Sequence, residues 1–103
     1  MIARIWHGWA RGRNADSYEE LLRKEVLPGI HRIEGYLGGY LLRREGEEVE
    51  FVTVTLWDSL EAVRAFAGWD HEAAVVPPQA QALLDRFDER SAHYEVRARP
   101  EER

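Results

Sequence analysis

A strand that runs directly into an amphipathic helix constrains the fold of this chain more than any other stretch. Residues 51–57 are β-branched or aromatic apart from Leu56, which predicts a strand. Asp58 or Ser59 can cap the helix that follows. Its apolar side chains fall close together on the helix surface, at Leu60, Val63, Phe66 and Ala67. With no linker before it, this helix must lie back on the sheet that contains the strand.

The other elements can be placed around this unit. Apolar residues at helical spacing predict a helix from Tyr18 to Val26, which Pro28-Gly29 is expected to end or bend. A further short helix is predicted over residues 79–87, after Pro77-Pro78. The remaining strands are predicted at residues 2–9, within 35–44 and at 91–97. The order of the main elements is therefore β-α-β-β-α-β.

This order predicts an α+β domain with the ferredoxin-like plan, in which a four-stranded antiparallel sheet carries its helices on one face. We expect the domain to span residues 1–98 and the tail, 99–103, to be frayed. The other face of the sheet would then be bare. Because neighbouring strand residues point to opposite sides, the large apolar residues of the strands cannot all lie under the helices.

An apolar sheet face that is left uncovered normally marks an interface, so we predict a homodimer that packs sheet to sheet. On the first strand, we place Arg4 and Trp6 on this dimer face. His7 and Trp9 share the opposite face, which we assign to the cleft between sheet and helices. Both faces of this strand carry large apolar groups, so we expect the strand to be covered on both sides.

The composition excludes several classes of partner. The formal net charge is −5, whereas nucleic acids and anionic membranes require a basic face, so we expect neither as a partner. The chain has no cysteine, which excludes disulfides, thiolate catalysis and cysteine-bound metal. The first residues lack a signal-peptide pattern, and no apolar run reaches membrane-spanning length. We therefore expect a cytoplasmic protein.

Four segments, at residues 2–8, 18–22, 35–38 and 51–67, together resemble the antibiotic biosynthesis monooxygenase-like family of the dimeric α/β-barrel superfamily. The resemblance implies that the ferredoxin-like domain pairs with a second copy to form an α/β barrel. It also implies an oxidoreductase-like function. The family is mixed and includes cofactor-independent oxygenases of polycyclic phenols, quinol oxygenases and haem-degrading enzymes.

The haem-degrading branch of this family is a poor match. That branch carries an Asn on the first strand, a Trp on the second helix and an iron-binding His further along. The matching positions in this chain are His7, Phe66 and Val76, which all differ. His71 lies five residues before Val76, more than one helical turn away. The resemblance therefore disfavours haem degradation.

The phenol-oxidising branch implies an aromatic or apolar substrate and no bound cofactor, metal or flavin. Its chemistry requires a dry aromatic pocket, a group that titrates near neutrality and a donor to the developing oxyanion. We assign the base to His7, the walls to Trp9, Phe66 and Trp69, and a second polar role to His71. The function predicted on this basis is a cofactor-independent monooxygenase that acts on or binds an aromatic small molecule.

Each of these assignments has a structural alternative. His7 can be a half-buried residue with a satisfied hydrogen bond, and His71 a solvated residue at the start of a helix. Trp69 can plug the cleft, or it can contact a ligand or a partner. His93 is most simply paired with Glu95, and no histidine spacing indicates a metal site. The whole domain can also be a ligand-binding or interaction module without catalysis.

Overall fold

The computed structural model describes residues 1–100, which form one antiparallel sheet with helices packed against it. The strands are β1 (Ile2–Ala10), β2 (Tyr36–Arg44), β3 (Val49–Trp57), β4 (Arg86–Phe87) and β5 (Ala92–Glu95). The helical segments are α1 (Arg13–Leu21), a π-helical segment (Leu22–Val26), α2 (Leu27–Ile30), α3 (Leu60–Ala67) and α4 (Pro78–Gln81). Residues 101–103 of the predicted tail lie outside the described residues, so the fraying of 99–103 stays a prediction.

The sheet has the order β2-β3-β1-β4, and β5 also pairs with β1. All pairings are antiparallel. Together with the helices, β1, β2, β3 and β5 reproduce the β-α-β-β-α-β order, so the ferredoxin-like α+β prediction is confirmed. None of the helices within residues 1–100 is long and apolar enough to cross a membrane.

The predicted strand-to-helix unit is confirmed by the structure. β3 ends at Trp57, and α3 begins at Leu60 after Ser59, whose Oγ accepts a hydrogen bond from the N–H of Ala62 at 3.2 Å. The helix packs through the fully buried Val63 against a cluster that contains Trp57. A larger cluster, formed under α1 and the π-helical segment, includes Trp6, Tyr18, Leu22 and Phe51.

The first helical region continues through Pro28 and ends at Ile30. A proline inside a helix cannot donate the usual backbone hydrogen bond, and its ring clashes with a carbonyl one turn earlier. The wider turns of the π-helical segment directly before α2 accommodate that clash. Of the two outcomes expected at Pro28-Gly29, an end or a bend, the helix does not end there, and a local widening directly precedes the proline.

The orientation of β1 is the reverse of the one we expected. Its buried residues are Arg4, Trp6, Gly8 and Ala10, and these face the helices. Our placement of Arg4 and Trp6 on the dimer face was therefore wrong, and His7 and Trp9 lie on the open face. Alternation fixes the period of a strand, whereas packing against Tyr18 and Phe51 decides which side is buried.

The helix predicted over residues 79–87 was also wrong beyond its first turn. The chain leaves α4 and runs beside β1, where β4 forms an additional short strand. The N–H of Asp85 donates to the carbonyl of Trp9 at 2.7 Å, and the N–H of Asp88 donates to that of His7 at 2.9 Å. These bonds satisfy backbone groups along the edge of β1 that a longer helix would leave unpaired.

The sheet face opposite the helices is apolar and uncovered. Tyr40, Leu42 and Tyr94 expose 64%, 48% and 57% of their surface there. Val52 and Val54 of β3 pair with Leu42 and Tyr40, which places them in the middle of this face. We call this surface the open face.

Candidate functional site

An internal cavity of about 60 Å³ lies between the sheet and the helices. Its wall is mostly apolar and includes Trp6, Leu22, Val26, Leu27, Phe66 and Val76. An adjoining groove of about 370 Å³ shares five lining residues with it: Val26, Ile30, Phe66, Val75 and Pro77. Since small-molecule sites usually measure roughly 300–1,000 Å³, a polycyclic ligand would occupy both parts. We call the two parts together the cleft.

Among the described residues that line the inner cavity, Arg4 is the one with a charged side chain. It projects from the middle of β1 and is only 4% exposed. Its Nη1 donates to the main-chain oxygen of His71 and to Nε2 of His93 at 3.0 Å, and its Nη2 donates to the main-chain oxygen of Ala73 at 2.8 Å. The guanidinium carbon also lies 5.5 Å from the ring centre of Phe66. Arg4 therefore ties the loop after α3 to the sheet.

The charge of Arg4 has no acidic partner among residues 1–100. No carboxylate in the described part of the chain forms an ion pair with it. Burial lowers the pKa of Arg4 to about 10, so the group remains protonated at neutral pH. A buried cation without an acidic partner carries a desolvation penalty on the order of several kcal/mol. The cleft is therefore electropositive at this end.

Ser91 is another polar residue in the wall of the inner cavity, which also contains Tyr18, Thr53 and Thr55. The residue is 3% exposed, and its Oγ has no hydrogen-bond partner among residues 1–100. The backbone holds it in place, since its N–H donates to the main-chain oxygen of Glu72 at 2.7 Å. A buried hydroxyl that makes no hydrogen bond costs about 1–3 kcal/mol. A ligand oxygen in the cavity would remove that penalty.

His93 lies opposite Arg4 on the neighbouring strand β5. Desolvation, followed by the charge of Arg4, lowers the pKa of His93 to about 4, so its ring is neutral at pH 7. Because a guanidinium can only donate, Nε2 must accept, and the ring proton lies on Nδ1. The expected pairing with Glu95 is thus replaced by a contact with Arg4.

His71, Glu72 and His93 place three potential metal-ligand atoms within 4.8 Å of one another. Two imidazoles and a carboxylate are suitable donors for zinc or ferrous iron. Two of the three are already engaged with guanidinium groups, because Arg4 donates to His93 and Arg90 donates to Glu72 at 3.0 Å. A divalent ion would lie close to both cations, so this arrangement does not fit a metal. Our expectation of no metal stays a prediction.

The structure places His7 outside the cleft, on the open face. Its Nδ1 lies 2.7 Å from Oδ2 of Asp88, and the same oxygen accepts the backbone N–H of His7 at 3.1 Å. Its ring stacks on Trp9 with the centres 5.9 Å apart. This geometry corresponds to the half-buried, hydrogen-bonded alternative. A base on this residue could act only at the open face.

The three aromatic residues predicted to form the pocket walls lie in three different places. Phe66 lines both parts of the cleft. Trp9 lies on the open face, with the guanidinium of Arg86 at 3.8 Å from its ring centre. Trp69 is 88% exposed and contacts Arg64. His71 reaches the cleft region through its main-chain oxygen, and its ring meets the ring of His93 edge-on.

Sequence reasoning missed Arg4, Trp6 and Ser91 as wall residues. One signal was available for Arg4, since a single charge within an apolar strand is expensive wherever that strand is covered. Ser91 gave no signal, because a serine before a strand is ordinary in any loop. Its importance comes only from burial without a partner.

Comparison with known families gives a direct match. A model of the antibiotic biosynthesis monooxygenase family matches residues 1–77, from β1 through α3 to the loop before α4. The chain belongs to this family. The match covers Arg4 and Phe66, whereas Ser91 and His93 lie beyond it. A comparison with curated proteins finds no match.

Several solved structures share the fold of this chain. A putative antibiotic biosynthesis monooxygenase from Bacillus cereus is 19% identical with a TM-score of 0.67, over 96% of this chain and 94% of that one. A monooxygenase from Streptomyces coelicolor in complex with nanaomycin D is 17% identical with a TM-score of 0.66, over 95% and 88%. A haem degrader from Mycobacterium tuberculosis is 24% identical with a TM-score of 0.62, over 96% and 98%. Because all three sequence identities are below 25%, the similarity shows a shared fold and nothing about the reaction or the ligand.

Proposed function

We propose that this family member binds an aromatic or otherwise apolar small molecule in the cleft and oxidises it as a cofactor-independent monooxygenase. The observation that carries the proposal is the cleft itself, an apolar cavity with aromatic walls that continues into a larger groove. The Streptomyces coelicolor monooxygenase of the same fold, which holds nanaomycin D, supports a small-molecule ligand.

In the proposed reaction of an anthrone-type substrate, a CH₂ group activated by a phenolic ring becomes a ketone. The carbon loses two hydrogens and gains one oxygen atom from dioxygen, and the second oxygen atom leaves as water. The chain contributes a dry pocket and orientation, because Trp6 and Phe66 provide flat apolar surfaces for a ring. No bound metal or flavin is part of this proposal, and haem degradation stays disfavoured by the resemblance.

Oxygen consumption with anthrone- and quinol-type substrates tests this function. Phe66→Leu should reduce kcat/KM roughly two- to tenfold, since an aromatic contact contributes about 0.5–1.5 kcal/mol beyond its buried area. Trp69→Leu is the matched control, because this exposed tryptophan lies outside the cleft wall, and it should retain the wild-type rate. His7→Ala should also retain it. If the wild-type protein consumes no oxygen over a broad panel of both substrate types, the proposed monooxygenase activity is refuted.

A binding module without catalysis is the alternative, and one observation favours it. Among the described residues, the inner cavity wall contains no carboxylate or imidazole that could act as a base. Tyr18 lines it, but burial raises the pKa of this phenol, which therefore stays protonated at neutral pH. This function predicts thermal stabilisation by the ligand without oxygen uptake.

We also propose that two copies pair through the open face to form the dimeric α/β barrel. Three large side chains on that face are about half exposed or more, and the valines of β3 lie between them. An apolar sheet face of this kind is typical of an interface. The acidic net charge leaves nucleic acid and membrane surfaces outside the proposal.

A further inference from the structure

We propose that the cleft recognises an anionic oxygen, either a phenolate or a carboxylate, which Arg4 and Ser91 bind at the inner end of the cavity. This inference rests on the proposed use of the cleft as a ligand site. It adds to that use the chemical group that the ligand must present, and it assigns its recognition to two residues.

The unused hydrogen-bond donors of Arg4 are the first observation that supports binding of an anionic oxygen. A guanidinium has five N–H groups. Contacts with His71, Ala73 and His93 use three of them, which leaves Nε–H and one hydrogen of Nη2 without a partner among the described residues. Two neighbouring N–H groups of one guanidinium form the fork that binds two carboxylate oxygens.

Arg4 also lacks an acidic partner among the described residues, which supports binding of an anion at this place. Arg4 is almost fully buried, and its three described hydrogen-bond partners are all neutral. If the residue served only to tie the loop after α3 to β1, a neutral donor would do so without burying a charge. A ligand anion in the cavity would balance that charge.

Ser91 provides a third and independent argument. Its buried Oγ has no partner among residues 1–100, and the residue lines the same inner cavity as Arg4. A hydroxyl can donate to the same ligand oxygen or to its neighbour. The only charged residue of the described inner wall and the residue that carries its only unpartnered buried hydroxyl therefore line one small space.

His93 acts as a positioning residue for Arg4. Its neutral Nε2 accepts from Nη1 at 3.0 Å. The main-chain oxygen of His71 accepts from the same nitrogen, and that of Ala73 accepts from Nη2. These three contacts fix the orientation of the side chain. The unused N–H groups are thereby held in place before a ligand arrives.

Matched ligand pairs test the inference by calorimetry at neutral pH. One arm compares 2-naphthoate with 2-naphthamide, which have the same shape and differ in charge. The other arm compares 4-nitrophenol with 4-nitroanisole and follows the phenolate absorbance of the bound nitrophenol. Wild-type protein should bind the anion of at least one pair roughly tenfold or more tightly than its neutral analogue. The arm that shows this preference identifies the kind of anion.

Two variants assign the preference to residues. Arg4→Gln should abolish it while leaving affinity for the neutral analogue within about threefold. Ser91→Ala should weaken it without loss of stability, because its hydroxyl has no described partner to lose, and this variant serves if Arg4→Gln does not fold. An unchanged preference in folded Arg4→Gln, or in Ser91→Ala when only that variant folds, would overturn the inference.

Wild-type results separate this inference from the proposed function. Equal affinity for anion and neutral analogue, or binding of the neutral analogue alone, refutes anion recognition and leaves the cleft as an aromatic site. If the protein consumes oxygen but binds neither anion, anion recognition is refuted and the proposed monooxygenase activity stands. Absence of both binding and turnover refutes the two together.

Discussion

Burial and a contact with Arg4 together keep the side chain of His93 neutral. Arg4 donates to Nε2 of His93, so protonation of that nitrogen would remove a hydrogen bond and place two cations 3.0 Å apart. Burial of the ring acts in the same direction and is the larger cause of the low pKa of His93. The neutral imidazole is therefore part of the folded structure.

This pair predicts a pH dependence of stability. The pKa of His93 falls from its ordinary value of 6.5 to about 4 on folding, so the unfolded chain binds a proton more readily. The resulting contribution to stability is present above pH 6.5 and is lost as the pH falls towards 4. His93→Gln should therefore show a shallower decrease in unfolding free energy over this range.

Urea denaturation at several pH values measures this slope. The other charged groups near His93 are Arg4, His71 and Glu72, and all remain in the variant. His31→Gln, a histidine outside this cluster, should keep the wild-type slope. Identical slopes for wild type and His93→Gln would contradict the effect.

At the scale of elements, the start of β2 and the start of α3 are joined at one point. Gly35 has a φ of +92°, which L-residues with side chains rarely adopt, and its carbonyl accepts the N–H of Asp58 at 2.8 Å. A Cβ at this position would lie 2.5 Å from the Cβ of Ala62 and 2.7 Å from Oδ1 of Asp58. The close approach of α3 to β2 therefore requires glycine.

Gly35→Ala should lower the free energy of unfolding by roughly 1–3 kcal/mol, because it combines backbone strain with overpacking. Gly29→Ala is the matched control, since nothing lies within 4 Å of its added Cβ and its φ is not positive. That change should stabilise the protein by up to about 1 kcal/mol through helix propensity. Chemical denaturation of both variants measures the difference in their free energies of unfolding. Equal stabilities of the two variants would contradict the prediction.

Elements were predictable from the sequence to different degrees, for identifiable reasons. The unit of β3 and α3 could be predicted because strand composition, a cap and a helical apolar face all agree locally. β4 could not, because its two residues are held by the edge of β1, about 80 positions away in sequence. The orientation of β1 could not be predicted either, because both of its faces carry large apolar groups.

At the scale of the whole molecule, the proposed dimer would bury the open face. If two copies cover it, Val54→Glu should convert the protein to a monomer, because a buried charge without a partner would then lie in the middle of the interface. Trp69→Glu is the control, since Trp69 is exposed in the loop after α3 and should leave the dimer intact. Sedimentation velocity at micromolar concentration distinguishes the two states. A monomeric wild-type protein would exclude the dimer.

The sequence by itself determined the family, the ferredoxin-like order of elements and an acidic chain without cysteine, because these depend on local pattern and composition. The cytoplasmic location inferred from it stays a prediction. The tertiary structure decided which residues share the cleft. His7 and Trp9 turn away while Arg4 and Trp6 turn inward, since a shift of one residue exchanges the two faces of a strand. Ser91 and His93 join Arg4 only because β5 pairs with β1, which no local pattern specifies.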